Sequence, residues 1–242
     1  MITSKQNSLI KQIRSLSDKK FRDRLGQYLV EGVKLVKEAL VLNLPVVTVV
    51  GTERGLENLS LSGVKCESVS QEVFDYITTE VSPQGVLAVI EKPKEEKFEA
   101  NDCCILLDGV SDPSNMGAVI RTAVASGYKT VYMTEDCADP FSPKAVRSSM
   151  GGIFRVRTVR ASREELIALI KLPIIVADMS GENLFEYKSP KKFCLVIGNE
   201  GHGVSKEFRG IADKTVSIPM QNGMESLNAA VSAGLLMYTL KK

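Results

Sequence analysis

The feature that most limits how this chain can fold is a series of short strand-like segments in its second half, led by the apolar run 103–107. They fall at 103–107, 130–133, 153–159, 174–177, 193–197 and 215–218. The run 103–107 is continuously apolar and suits a central parallel strand, and the others, too short for core helices, read as further strands. Helical patterns lie between several of them, near 115–126, 162–170 and 203–210. Strands alternating with helices predict an α/β fold with a mostly parallel sheet and helices on both faces. In such sheets ligands bind beyond the carboxyl ends of the strands.

Three loops at those ends are unusual. The first runs Asp108-Gly109-Val110-Ser111-Asp112-Pro113-Ser114-Asn115 and opens a helix in which Met116, Ile120, Ala123 and Val124 form the apolar face. Either Asp112 or Asn115 can cap that helix, and Gly127 can end it. Arg121 lies off the apolar face, beside Gly117, Ala118 and Ala125, with room for a large or charged partner. A lone arginine or asparagine in such a place is more often a surface ion pair or a cap. The second loop, Gly198-Asn199-Glu200-Gly201-His202-Gly203, follows a buried strand. Glycines there let backbone approach a ligand. The order is neither the dinucleotide fingerprint nor a P-loop. Glu200 repels phosphate and suits a cationic or hydroxyl-bearing partner. The third loop follows the strand ending at Ile218-Pro219. It carries Met220, an Asn222-Gly223 turn signal and Ser226 in an N-cap position. The final helix places Leu227, Ala230, Val231, Gly234, Leu235 and Tyr238 on one face.

The first half reads as a smaller α/β layer. A basic helix is expected over 3–25, strands near 28–32, 46–50, 64–69 and 85–90, and helices between them. The charged stretch 91–99 is the linker candidate. The expected division is 1–92, a 93–101 linker and 102–242. Residues 1–37 hold nine Lys/Arg against three acids, while the whole chain is only +2. A basic end on a near-neutral body points to a polyanion, although a solvated helix face would look the same. The five cysteines include no C-x-x-C pair and the one histidine cannot build a His-rich metal site. Neither a metal centre nor a disulfide framework is expected. No apolar run is long enough for a membrane span, and the first residues lack a signal region, so a cytoplasmic protein is expected.

Taken together, Asn115…Arg121, then Gly198-Asn199-Glu200-Gly201-His202-Gly203, then Ile218-Pro219-Met220…Glu225-Ser226-Leu227-Asn228-Ala229-Ala230 resemble the three signature motifs of the SpoU (TrmH-type) RNA ribose 2′-O-methyltransferases. The resemblance covers the chain from about Cys104 onward. It extends more weakly to Tyr28-Leu29-Val30-Glu31-Gly32 and Ser82-Pro83-Gln84-Gly85, which look like that family's small α/β RNA-binding domain, and the stretch 139–151 also resembles family sequence. The resemblance implies S-adenosylmethionine (AdoMet) as cofactor, a deep trefoil knot in the C-terminal domain, and a homodimer that completes each site at its interface. Gly198, Ile218, Met220 and Leu227 would contact the cofactor. Arg121 would activate the ribose hydroxyl. Asn115, Glu200, Ser226 and Asn228 would hold that arginine and the ribose-phosphate. Free guanidinium has a pKa above ~12 and is a poor base, so that role needs a special local environment. The 2′-hydroxyl separates RNA from DNA, and the implied substrate is RNA, with 23S rRNA favoured. The alternatives are a tRNA ribose methyltransferase or a non-catalytic RNA-binding module. A dinucleotide enzyme is disfavoured, because the turn after the first strand of the second half lacks the fingerprint.

Overall fold

The computed structural model describes residues 1–242 except Asn58, Glu95 and Lys242, so one residue of the expected linker and the last residue of the chain lie outside it. It divides into two compact units. One is Met1–Pro93 together with Asp139–Phe154, the other Lys94–Ala138 together with Arg155–Lys242.

The first unit begins with α1 (Ser8–Ser15), α2 (Lys19–Leu25), β1 (Gln27–Glu31), α3 (Val33–Val41), β2 (Val46–Gly51), α4 (Glu53–Leu56), β3 (Cys66–Ser68), α5 (Gln71–Ile77) and β4 (Val86–Glu91). Its strands form one sheet in the order β1-β4-β2-β3. Ile10 and Ile13 of α1 and Val73, Phe74 and Ile77 of α5 pack with Leu29, Val50, Leu87 and Val89 of the strands. The single basic helix expected over 3–25 is two helices. The Asp18 side chain accepts from the Lys20 N–H and starts α2 anew, at a Ser17-Asp18 pair that favours caps over helix interiors.

Beyond β4 come β5 (Cys104–Leu107), α6 (Pro113–Ala125) and β6 (Thr130–Thr134). The chain then re-enters the first unit with α7 (Pro143–Ser149) and a short 3-10 helix, Gly152–Phe154. The sequence reading kept this stretch in the 102–242 domain. Its chemistry ties it elsewhere. Asp139 is buried against Arg22 at 2.7 Å, and Phe141 packs on Tyr28 with centroids 5.0 Å apart. Arg22 also donates to the carbonyls of Leu16 and Ser17 at 2.8 and 2.9 Å. Arg22 is only 3% exposed. It therefore leaves the set of basic residues that can meet a polyanion. Lys11, Arg14 and Lys20 remain exposed.

The second unit continues with β7 (Arg157–Ala161), α8 (Arg163–Leu169), β8 (Ile174–Asn183), β9 (Cys194–Ile197), α9 (Lys206–Gly210), β10 (Lys214–Ser217) and α10 (Ala229–Leu240). The strand expected at 153–159 starts later, because Ser149 and Gly151 bind the backbone of 153–154 into the 3-10 turn. Six strands form a wholly parallel sheet in the order β10-β8-β9-β5-β6-β7. Cys104, Leu106, Tyr132, Val176, Cys194 and Val196 pack with Leu166 of α8 and Phe208 of α9. Their neighbours Ile105, Leu107, Leu195 and Ile197 point to the opposite face and are buried as well. That double burial explains the unbroken apolar runs of β5 and β9. All five cysteines are free thiols; Cys103, Cys104, Cys137 and Cys194 are buried and Cys66 is partly exposed.

Candidate active site

The loops after β5, β9 and β10 converge. Asp112, not Asn115, caps α6, accepting from the N–H groups of Ser114 and Asn115 at 2.7 and 3.0 Å. That frees the Asn115 side chain. Its Nδ2 donates to Glu200 Oε1 at 2.8 Å, and its Oδ1 accepts from Asn228 Nδ2 at 2.9 Å. Three residues from the three loops thus form one hydrogen-bonded chain. Glu200 also accepts from the Ser111 N–H at 3.3 Å. Burial pushes its carboxyl up, but the Asn115 bond and backbone N–H groups outweigh that and hold it below the usual range. It is therefore ionised at neutral pH.

Asn228 has a second task. Its Oδ1 accepts from the N–H groups of Ala230 and Val231 and caps α10. This corrects the expectation that Ser226 is the N-cap: the helix starts at Ala229, and Ser226 is an exposed loop residue. The Asn222-Gly223 turn forms with positive φ at both residues, 56° and 73°.

A cavity of about 650 Å³ lies among these loops. It falls within the range of ~300–1,000 Å³ usual for small-molecule sites. Gly198, Ile218, Met220 and Leu227 all line it, with Glu200, Ser226 and Asn228. Gly198 is required by close approach: a Cβ there would lie 2.2 Å from Gly203 C and Val204 N. The glycine loop folds back on itself through paired backbone bonds between Asn199 and Gly203, both 3.0 Å. The Asn199 amide braces it, donating to Gly109 O at 2.6 Å and accepting from the N–H groups of Gly201 and His202.

Arg121 stands apart. It is exposed on α6, and no ion pair or hydrogen bond of its side chain is seen among the described residues. Thr122 beside it faces Gly234 of α10, where an added Cβ would meet Thr122 Cγ2 at 3.5 Å. Of the five residues expected around the ribose, Asn115, Glu200 and Asn228 are joined, Ser226 shares the cavity wall, and Arg121 touches none of them within the chain.

Three further residues, Asn199, Asp178 and Arg209, belong to the site beyond those expected from the motifs. The last two pair at 2.8 Å and line the cavity. Asn199 could have been noticed as a turn-forming residue held between Gly198 and Glu200. Nothing local marks Arg209.

The final helix also departs from expectation in which face is buried. Ala229, Ala233, Leu236, Met237 and Leu240 point inward, whereas Val231, Leu235 and Tyr238 are 52%, 39% and 59% exposed. Among the described residues no cluster of His, Cys, Asp and Glu could hold a metal, and no helix is long and apolar enough to cross a membrane.

Known proteins share this fold. The SpoU rRNA methylase family matches residues 102–238, and an MRM3-like substrate binding domain matches residues 7–88. The chain is 32% identical to the 23S rRNA (guanosine(2553)-2′-O)-methyltransferase RlmP of Bacillus subtilis, over 99% of this chain and 98% of that protein. The AdoMet-bound rRNA methyltransferase from Sinorhizobium meliloti superimposes with a TM-score of 0.88 at 29% identity, covering 98% of this chain and 95% of that one. The SpoU methyltransferase AviRb from Streptomyces viridochromogenes, in complex with AdoMet, gives 0.84 at 28% identity and covers 97% of each. With both halves matched and the three motif loops meeting in space, the chain belongs to the SpoU rRNA methylase family.

Proposed function

We infer that this protein methylates a ribose 2′-hydroxyl of 23S rRNA, using AdoMet. One observation carries the reading. A single cavity gathers the four residues expected at the cofactor and adjoins the Asn115–Glu200–Asn228 chain. Its walls fit the cofactor. Gly198 offers bare backbone, Ile218, Met220 and Leu227 offer apolar contact, and the ionised Glu200 complements a cation. When bound, AdoMet supplies an electrophilic methyl group on a sulfonium.

The protein then has to bring a hydroxyl into line and lower the cost of losing its proton. Asn115 and Asn228, each locked in one amide orientation by its partners, are positioned to fix the ribose. Ser226 stands ready as a hydrogen-bonding group at the rim. Arg121 meets the 2′-hydroxyl. Because its side chain has no ion pair or hydrogen bond among the described residues, it serves the site of a second copy in a two-fold dimer. The exposed stripe Val231, Leu235 and Tyr238 on the neighbouring α10 supports that assembly, since apolar rows of this kind mark interfaces. A trefoil knot formed by the segments around β9, β10 and α10 belongs to this reading. It is supported by β10 lying beside β8, where Gly181 allows backbone contact with Thr215 and Val216. The first unit binds the RNA, through exposed Lys11, Arg14 and Lys20. The protein works in the cytoplasm.

The test is methyl transfer from labelled AdoMet to total rRNA and total tRNA from a strain lacking the protein. Incorporation into large-subunit rRNA at one alkali-resistant nucleotide, absent with Arg121→Ala, is the expected result. Absence of AdoMet binding would refute the enzyme reading. Mixing Arg121→Ala with a cofactor-defective variant should restore about a quarter of the wild-type activity if sites are shared across a dimer.

A further inference from the structure

Asp108 directly follows β5, is 2% exposed and does not line the cavity. Its two oxygens hold different elements. Oδ1 accepts from Arg163 Nε at 2.9 Å and lies 2.7 Å from Arg163 Nη2. Oδ2 accepts from the Ser205 N–H at 2.7 Å. Arg163 Nη2 also donates to Asp136 Oδ2 at 2.7 Å. Asp136 is held by Thr134 Oγ1, which accepts in turn from the Gly109 N–H at 2.9 Å. The guanidinium, itself the first residue of α8, therefore ties the ends of β5 and β6 together.

These bonds fall at a telling place. The loop 108–115 carries Asn115, and the loop 198–205 carries Gly198 and Glu200. Asp108 to Ser205 joins them at one end, Gly109 to Asn199 in the middle, and Asn115 to Glu200 at the cavity. A buried carboxylate costs more to desolvate than a neutral group, and it pairs with Arg163 only in one geometry. Strand packing alone does not call for it.

We propose that Asp108 is a positioning residue for methyl transfer: held by Arg163, it fixes the Asn115 loop against the Glu200 loop and so sets the ribose-side groups relative to the cofactor cavity. This rests on the reading above, and the test separates the two. Asp108→Asn, Arg163→Met and the double variant are compared by AdoMet titration calorimetry, thermal melting, and kcat and KM for rRNA.

In Asp108→Asn the amide N–H groups must face Ser205 N–H or Arg163. Turnover should fall about 100-fold, as loss of alignment by about 1 Å does, with KM for rRNA unchanged. The double variant removes the guanidinium, left with Asp136 as its one carboxylate partner, along with the Asp108 charge. Its melting point should recover most of the way while kcat stays low. Recovery of kcat in step with melting would mean a purely structural role and overturn the proposal, as would wild-type turnover in Asp108→Asn. If the wild type binds no AdoMet, the functional reading fails instead. Amide exchange then judges the clamp: faster exchange across 198–205 in Asp108→Asn supports it, and unchanged protection overturns it.

Discussion

Replacing Gly198 by alanine tests the cofactor site with one methyl group. The added Cβ would lie 2.2 Å from Gly203 C and Val204 N, and 2.5 Å from Gly203 O, whereas ordinary contact begins near 3.4 Å. The difference, 3.4 less 2.2, requires a shift of about 1.2 Å. All three atoms are backbone, so no side chain can swing aside. Gly203 is also pinned by two 3.0 Å bonds to Asn199, which in turn holds Gly109. Moving the loop that far costs roughly 1–3 kcal/mol as overpacking, with about 0.5–1.5 kcal/mol more for each backbone bond given up. At about 2–4 °C per kcal/mol for a chain of this size, melting should drop by several degrees. The function should suffer more than the fold. Glu200 sits on the displaced loop, and a 1 Å misplacement costs about 100-fold in rate. AdoMet titration calorimetry, melting and methyl transfer on the same preparation measure all three. Gly210→Ala is the control, since its Cβ meets nothing within 4 Å. Wild-type AdoMet affinity and turnover in Gly198→Ala would refute the reasoning, for the loop would then be free to move without consequence to the site.

Asp139→Ala should destabilise the first unit by about 3–5 kcal/mol, because it leaves Arg22 buried and uncompensated, and urea unfolding followed by circular dichroism measures it. Lys11→Glu, Arg14→Glu and Lys20→Glu combined should weaken rRNA binding and flatten its salt dependence by about 0.7–0.9 in slope per lost phosphate contact; an unchanged slope would remove these residues from the RNA surface. Glu200 is a carboxyl whose folded pKa lies below its ordinary 4.5. Its stabilisation is complete above pH 4.5 and fades as pH falls through the lower folded value. The melting difference between wild type and Glu200→Gln should therefore be flat from pH 7 to 5 and shrink in stronger acid. Leu235→Glu should give a folded monomer by sedimentation, and a dimer surviving that charge would place the interface elsewhere.

The centre of the sheet was legible because β5, β6 and β9 are buried on both faces, so their apolar runs are short and nearly unbroken. Cys104 through Leu107 shows this, with all four residues at 0% exposure. Local competition decided what was misread. Asp18 and Ser17 draw hydrogen bonds away from a helix that apolar spacing alone carries through to residue 25. Ser226 and Asn228 are both good caps two residues apart, and only the reach from Asn228 Nδ2 to Asn115 Oδ1 selects between them. Arg22 was indistinguishable from its basic neighbours, because its partner Asp139 is 117 residues away. The names of the site residues came from motif resemblance. Their mutual bonds span 85 residues between Asn115 and Glu200 and 113 between Asn115 and Asn228, and no local pattern encodes such contacts.

The last helix illustrates a deeper limit. Periodicity identifies a buried face only when the other face is polar. From Ala229 to Leu240 every turn carries apolar residues on more than one side, so the row Val231, Leu235, Tyr238 satisfies helical spacing as well as Ala229, Ala233, Leu236, Leu240 does. Within one chain only the second row is covered. A helix with apolar residues on more than one side, one row of them exposed, accords with the proposed dimer, which would bury both rows. Arg121 on the neighbouring α6, without a side-chain partner among the described residues, fits the same proposal. Both features look like defects when the chain is considered singly, and a second copy seated on α10 would turn each into part of a working site.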